Sequence, residues 1–153
     1  MTGRTLLHYQ VLEKLGQGGM GAVYRARDTK LERYVALKFL PEEFSRDAER
    51  LARFEREAKV LASLNHPNLA AIYGYEHVDG LVFLVLEYVP GQTLSEMVAQ
   101  GPLDVEIALQ ICSAIVRALE EAHDKGVVHR TNTALEAAGP PPITVVTNWA
   151  PPK

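Results

Sequence analysis

Residues 15–38 read LGQGGMGAVYRARDTKLERYVALK, and this stretch decides the fold. Its glycines Gly16, Gly18 and Gly21 fit the spacing GxGxxG, which several kinds of phosphate-binding loop share. In a dinucleotide-binding fold these glycines open a helix, whose N-terminus holds the pyrophosphate. Here the residues from Ala22 to Arg27 alternate between two faces with period two, which predicts a strand. The pattern therefore excludes a dinucleotide-dependent oxidoreductase.

The same alternation predicts a hairpin whose strands run from Tyr9 to Leu15 and from Ala22 to Arg27, with the glycines at the bend. A bend without side chains lets backbone N–H groups approach phosphates closely. A third strand is predicted from Tyr34 to Leu40, where Pro41 ends it, and it carries Lys38 among apolar residues. Because an ammonium ion is costly to bury unless an anion meets it, we expect an anionic partner for this lysine.

The segment from Glu42 to Asn65 is predicted to be a helix. Its apolar side chains recur at helical spacing, at Leu51, Phe54, Ala58 and Leu61. Glu57 lies inside this apolar stripe rather than opposite it. A carboxylate there needs a cation, just as Lys38 needs an anion, so we expect the two to pair. The alternative is two unrelated surface charges.

Two further strands are predicted, from Leu69 to Tyr75 and from Leu81 to Tyr88. Asp79 and Gly80 between them form a strong hairpin signal. The second strand reads LVFLVLEY and is almost continuously apolar, as the interior strand of a sheet is.

Helices follow the turn at Val89-Pro90-Gly91. They are predicted from Leu94 to Gln100 and from Asp104 to Lys125, with Asp104 as the N-cap of the longer one. Its apolar stripe consists of Ala108, Ile111, Cys112, Ile115, Leu119 and Ala122. We expect Cys112 to be a small core hydrophobe, and the stripe as a whole to be partly exposed.

The composition also limits the possible partners. The 153 residues carry a net charge of −3 without a basic patch, which gives no indication of nucleic acid as a partner. Cys112 is the single cysteine, so an internal disulfide is excluded. The longest apolar run, residues 81–86, is far too short to span a bilayer. We therefore expect a cytoplasmic protein with no membrane segment.

The motif GxGxxGxV followed by VALK resembles the beginning of a protein kinase domain. In wording it is most similar to bacterial serine/threonine kinases of the eukaryotic-like type, from about residue 9 to residue 130. The resemblance implies an α+β fold, in which a five-stranded antiparallel sheet and one long helix form the small lobe. The implied division is an N-terminal extension (1–8), the small lobe (9–88), the hinge with the first helices of an incomplete large lobe (89–130), and an unstructured proline-rich tail (131–153).

The resemblance also implies an ATP site. Lys38 would reach the α- and β-phosphates and Glu57 would hold it in place, as the ion pair of the catalytic machinery. Apolar side chains would surround the base, and the backbone of two hinge residues would bond its edge. The implied ATP-binding residues are Leu15, Gly16, Gln17, Gly18, Gly19, Met20, Gly21, Ala22, Val23, Ala36, Lys38, Leu86, Glu87 and Val89.

The resemblance stops at the catalytic loop. A kinase continues after His129-Arg130 with an aspartate, then an asparagine five residues later and a DFG triplet. This chain has Thr131 in place of the aspartate and contains no DFG. Phosphoryl transfer needs that carboxylate as the base and two oxygen ligands for Mg²⁺. We therefore predict no metal-binding residues and no phosphoryl transfer, although the family uses Mg²⁺.

Three functions remain open. The first is the ATP-binding part of a serine/threonine protein kinase, whose full-length relatives act on protein substrates. The second is a pseudokinase-like module that binds nucleotide or a partner without catalysis. The third, a small-molecule phosphotransferase, is disfavoured because VALK, the NHPN turn and the EYVPG hinge together resemble protein kinases.

Overall fold

The structure is a computed structural model that describes residues 1–18, 21–41 and 47–126. Within these ranges the chain forms six strands and three helices. They are β1 (Thr5–Leu6), β2 (Tyr9–Gly18), β3 (Gly21–Asp28), β4 (Arg33–Phe39), α1 (Ala48–Ala62), β5 (Ile72–Val78), β6 (Leu81–Glu87), α2 (Leu94–Ala99) and α3 (Val105–Asp124).

The strands form one antiparallel sheet with the order β1-β2-β3-β4-β6-β5. The five predicted strands are all present, and the two predicted hairpins, β2–β3 and β5–β6, are confirmed. The sixth strand, β1, was missed because two residues are too short to show an alternating pattern. Its Leu6 pairs with Tyr9 and is only 2% exposed, so the extension before residue 9 covers the end of the core.

Alternation along the central strands divides the apolar side chains between the two faces of the sheet. Val35, Leu37 and Phe39 of β4 pack on one face with Phe83 and Val85 of β6. On the opposite face, a second cluster contains Ala36, Leu84 and Leu86 of the sheet and Phe54 and Ala58 of α1. Lys38 alternates with the first set, so it belongs to the face that α1 covers.

Helix α1 is shorter than the predicted span. Asp47 accepts the N–H of Glu49 at its Oδ1 (3.0 Å), and the helix begins directly after this cap. Residues 42–46 of the predicted helix lie outside the described residues. At the other end, Leu64 donates its N–H to the carbonyl of Leu61 (3.0 Å) in a tighter turn, so the regular helix ends before Pro67 restricts the backbone.

Helix α3 has the predicted ends, because Asp104 caps it through the N–H groups of Glu106 (2.8 Å) and Ile107 (3.4 Å). Its buried residues are Ile111, Ala118 and Ala122. Ala118 and Ala122 pack in a third cluster with Leu61, Leu64 and Leu69. This contact joins the end of α1 to α3.

The prediction that Cys112 is a core hydrophobe is wrong, since the cysteine is exposed. The buried line of α3 runs through Ile111, Ala118 and Ala122. Cys112 follows Ile111 by one residue, which turns it about 100° around the helix from that line. Other apolar residues share the exposed side with Cys112, namely Val105 (73% exposed), Leu109 (65%) and Val116 (61%). The predicted stripe is itself partly exposed, since Ala108, Ile115 and Leu119 are only half-buried.

We predict that Gly21→Ala destabilises the fold, because the backbone of Gly21 has φ +105° and a Cβ there would overlap the carbonyl oxygen of Phe39. The expected loss is about 2 kcal/mol or more in the free energy of unfolding, measured by urea denaturation. Gly16→Ala is the matched control, since no atom lies within 4 Å of the position its Cβ would take. Equal stability of the two variants would contradict the prediction.

Candidate active site

The glycine-rich hairpin lies between β2 and β3. Gly18 pairs with Gly21, and Gln17 pairs with Ala22 and accepts a hydrogen bond from the ammonium group of Lys14. Close packing of Gly21 against Phe39 holds this end of β3 near β4. Gly16, in contrast, faces open space. Two of the predicted ATP-binding residues at this bend, Gly19 and Met20, lie outside the described residues.

The structure brings most of the residues predicted around the base onto one face of the sheet. Ala36 pairs with Leu86 across β4 and β6, and Val23 packs against the cluster that contains both. Leu15 is different: it lies at a register shift between β2 and β3 and is 46% exposed. Three of the four apolar residues are therefore assembled by sheet packing, while Leu15 stands at the open edge.

Lys38 lies in the middle of the same face. Its register partners are Val23 on β3 and Leu84 on β6, so apolar neighbours flank it on both sides. Burial lowers the pKa of the Lys38 ammonium group to about 8, because a low-polarity environment disfavours the charged form. Lys38 is thus a partly buried cation on the face that α1 covers.

Glu57 is half-buried on α1, the helix that covers the face of Lys38. It lies three residues after Phe54 and one before Ala58, and both of these pack against the sheet in the cluster of Ala36 and Leu84. The helix therefore directs the neighbourhood of Glu57 toward the sheet. The specific pairing of Glu57 with Lys38 stays a prediction.

The hinge begins where β6 ends, at Glu87. The backbone N–H of Glu87 donates to the carbonyl of Ala71 (2.8 Å). The backbone N–H of Ala71 donates in turn to the carboxylate of Glu87 (3.1 Å). After the hinge, Thr93 and Glu96 form a reciprocal capping box that starts α2. The segment that carries the half-buried Val89 is therefore anchored at both ends.

Two charged residues of β3 were not singled out from the sequence as functional or structural centres. Arg25 on β3 bonds Glu13 and lies over the rings of Tyr34 and Tyr88. Its place in the alternation, two residues after Val23, is a signal that could have put it on this face. A contact with the hinge, however, depends on the order of strands in the sheet.

Asp28 is the other. It is 1% exposed, and its carboxylate accepts the N–H groups of Lys30 and Leu31 (3.0 Å each). Burial raises its pKa, but these bonds and the charges of His8 and Arg33 outweigh burial, so the pKa lies below its usual range. Aspartates that open a turn commonly accept backbone N–H groups of that turn, so the sequence could have indicated these hydrogen bonds.

The part of the chain that the structure describes contains neither a cluster of metal ligands nor a membrane-spanning helix. In residues 1–18, 21–41 and 47–126, no group of three or more His, Cys, Asp or Glu side chains could hold a metal ion. Over the same ranges, none of the helices combines the length and apolar character needed to cross a bilayer. Thr131, which the sequence resemblance puts at the position of the kinase catalytic aspartate, lies outside the described residues, as does the tail that follows it.

Comparison with known proteins identifies the family. The protein kinase domain matches residues 9–131. The serine/threonine-protein kinase PrkC of Bacillus subtilis is 45% identical over 123 residues, which are 80% of this chain and 19% of that protein. The serine/threonine-protein kinase pkn3 of Myxococcus xanthus is 40% identical over 131 residues, or 84% of this chain and 24% of that protein. The chain thus spans 19% to 24% of the length of these relatives.

Solved structures agree with this assignment. A double-mutant form of the PknI kinase domain of Mycobacterium tuberculosis has a TM-score of 0.75 and 32% identity, covering 84% of this chain and 54% of that one. Another crystal structure of the same domain has a TM-score of 0.74 and 30% identity, covering 92% and 55%. This chain therefore belongs to the protein kinase domain family, and its described part is the small lobe and first large-lobe helices of a bacterial, eukaryotic-like serine/threonine kinase domain.

Proposed function

We propose that this chain binds ATP as the nucleotide-binding part of a serine/threonine protein kinase, and that it does not transfer phosphate by itself. The observation that carries the proposal is the environment of Lys38. Val23 and Leu84 are its strand partners, and burial lowers the pKa of its ammonium group to about 8. A triphosphate supplies the anion that such a buried cation favours.

The rest of the face fits a nucleotide. Val23, Ala36 and Leu86 form an apolar surface beside Lys38 that suits a purine ring. The glycine-rich hairpin at the end of this face has open space beside Gly16, so no side chain blocks the approach of a phosphate there. Together these features support binding of base and phosphates on one face.

Catalysis requires more than this face provides. In the family, an aspartate accepts the proton of the substrate hydroxyl, and Mg²⁺ neutralises the β- and γ-phosphates. Thr131 is neutral at pH 7 and cannot act as that base, and the sequence has no DFG to supply a metal ligand. Loss of a general base alone slows a reaction by about 10²- to 10⁴-fold.

We predict that magnesium–ATP raises the melting temperature of the chain, because a ligand that binds only the folded state stabilises it. At 100 times the dissociation constant, the gain is about 2.7 kcal/mol. Lys38→Met should abolish most of the shift, and the exposed Lys59→Met is the matched control that should keep it. Equal shifts for the two variants would refute the role of Lys38.

We also predict that the free chain becomes more stable as the pH rises from 8 to 9.5. The pKa of Lys38 is about 8 when folded and near 10.5 when unfolded, so the unfolded state holds more protons in this interval. The expected gain is roughly 1.5 kcal/mol, by urea denaturation at each pH. Above pH 10 the raised pKa values of Tyr9 and Tyr75 act in the opposite direction.

Lys38→Met should remove this rise, whereas Lys59→Met should retain it. A flat profile for the parent chain between pH 8 and 9.5 would show that Lys38 is not held in a desolvated site.

We predict no phosphate transfer from radiolabelled ATP to a general protein substrate, above the level of the Lys38→Met variant. Thr131→Asp should not restore activity, since a base without the missing metal ligands leaves the phosphate charge uncompensated. Transfer by the parent chain above that background would disprove the inactive state.

A further inference from the structure

Arg25 occupies a central place between the glycine-rich hairpin and the hinge. On β3 it is the register partner of Glu13 on β2 and of Ala36 on β4. Alternation places it on the same sheet face as Val23, two residues further from the glycine bend. It therefore lies on the nucleotide face, toward the end where β6 leaves the sheet.

Its guanidinium group contacts three side chains from three segments. The Nη1 atom donates to Oε1 of Glu13 at 2.7 Å. The Cζ atom lies 4.4 Å from the ring centre of Tyr34 and 5.2 Å from that of Tyr88. The two rings pack edge to face, with centres 6.4 Å apart.

These contacts are those of a stable cation–π arrangement. The hydrogen bond to Glu13 raises the pKa of the guanidinium group and so favours its charged form. The side chain of Arg25 is 29% exposed. A cation–π interaction is stronger when the cation is partly desolvated than when it is fully exposed. Because the group is planar, it can lie over rings while it bonds a carboxylate, which a lysine cannot do as well.

The contact with Tyr88 bears on nucleotide binding because of its place in the chain. Tyr88 lies between Glu87 and Val89, the two residues whose backbone is predicted to bond the adenine edge. Glu87 is already fixed on one side through Ala71. Arg25 contacts the ring of the next residue, Tyr88.

We propose that Arg25 is a positioning residue, which fixes Tyr88 of the hinge relative to the glycine-rich hairpin and so increases affinity for the adenosine part of ATP. The proposal rests on the proposed function. It assigns Arg25 no contact with the nucleotide, and its effect passes through the hinge backbone.

The chain offers a matched control in Arg33. Its Cζ atom lies 3.6 Å from the ring centre of Tyr73, and its Nε lies 3.8 Å from Asp28. It therefore combines a ring and a carboxylate as Arg25 does, but it contacts β5 and the end of β3 instead of the hinge. Substitution of either arginine would lower the general stability, whereas only substitution of Arg25 would affect the hinge.

The test measures calorimetric binding of magnesium–ATP and of magnesium tripolyphosphate to the full chain and to the variants Arg25→Gln and Arg33→Gln. Arg25→Gln should raise the dissociation constant for ATP by about three- to tenfold and leave that for tripolyphosphate unchanged. Arg33→Gln should change neither. Hydrogen exchange at the backbone amides of Tyr88 and Val89 should increase in Arg25→Gln alone.

A second pair of variants covers the case in which Arg25→Gln does not fold. Tyr88→Leu removes the ring and should weaken ATP binding to the same degree, whereas Tyr88→Phe keeps it and should bind like the parent. Unchanged ATP affinity and amide exchange in Arg25→Gln, or in Tyr88→Leu, overturn the inference alone. If the parent chain binds neither tripolyphosphate nor ATP, the proposed function is refuted, and this inference with it.

Discussion

A cation in the middle of an apolar sheet face is the constraint on which this site depends. Lys38 has Val23 and Leu84 as its strand partners, and burial brings its pKa down to about 8. An isolated charge in such a place is costly unless an anion compensates it. Helix α1 packs on the same face through Phe54 and Ala58, so the fold holds Lys38 in a partly desolvated position.

The glycine bend and the hinge enclose this face from opposite ends. At one end, Gly21 packs so closely on the carbonyl of Phe39 that no other residue fits. At the other, Glu87 is bonded twice to Ala71, and Tyr88 lies against Arg25. The hairpin and the hinge belong to strands that are far apart in the chain but share one sheet. Rigid strands thus set the space between them.

The large-lobe helix is joined to the small lobe mainly through small side chains. Ala118 and Ala122 of α3 pack with Leu61, Leu64 and Leu69, which follow or end α1. Alanines allow the helix to approach closely, since they occupy little space. The other side of α3 carries Val105, Leu109 and Val116 in exposed positions. A single helix can therefore contact the small lobe and still present a second apolar side.

The sequence by itself determined the five main strands and the long helices. Period-two alternation, the glycines, the Asp79-Gly80 turn and the Asp104 cap are local signals that depend on neighbouring residues only. The family likeness from residue 9 to 130 was likewise readable, because its motifs are short and contiguous.

Tertiary structure alone decided which line of α3 is buried, since the choice between Cys112 and Ala118 depends on where Leu61 and Leu69 lie. It also decided the contact of Arg25 with Tyr88, residues separated by most of the small lobe and joined only by the strand order β3-β4-β6. The burial of Asp28 and the sixth strand are of the same kind. In each case the deciding energy comes from packing between distant segments, which no local pattern records.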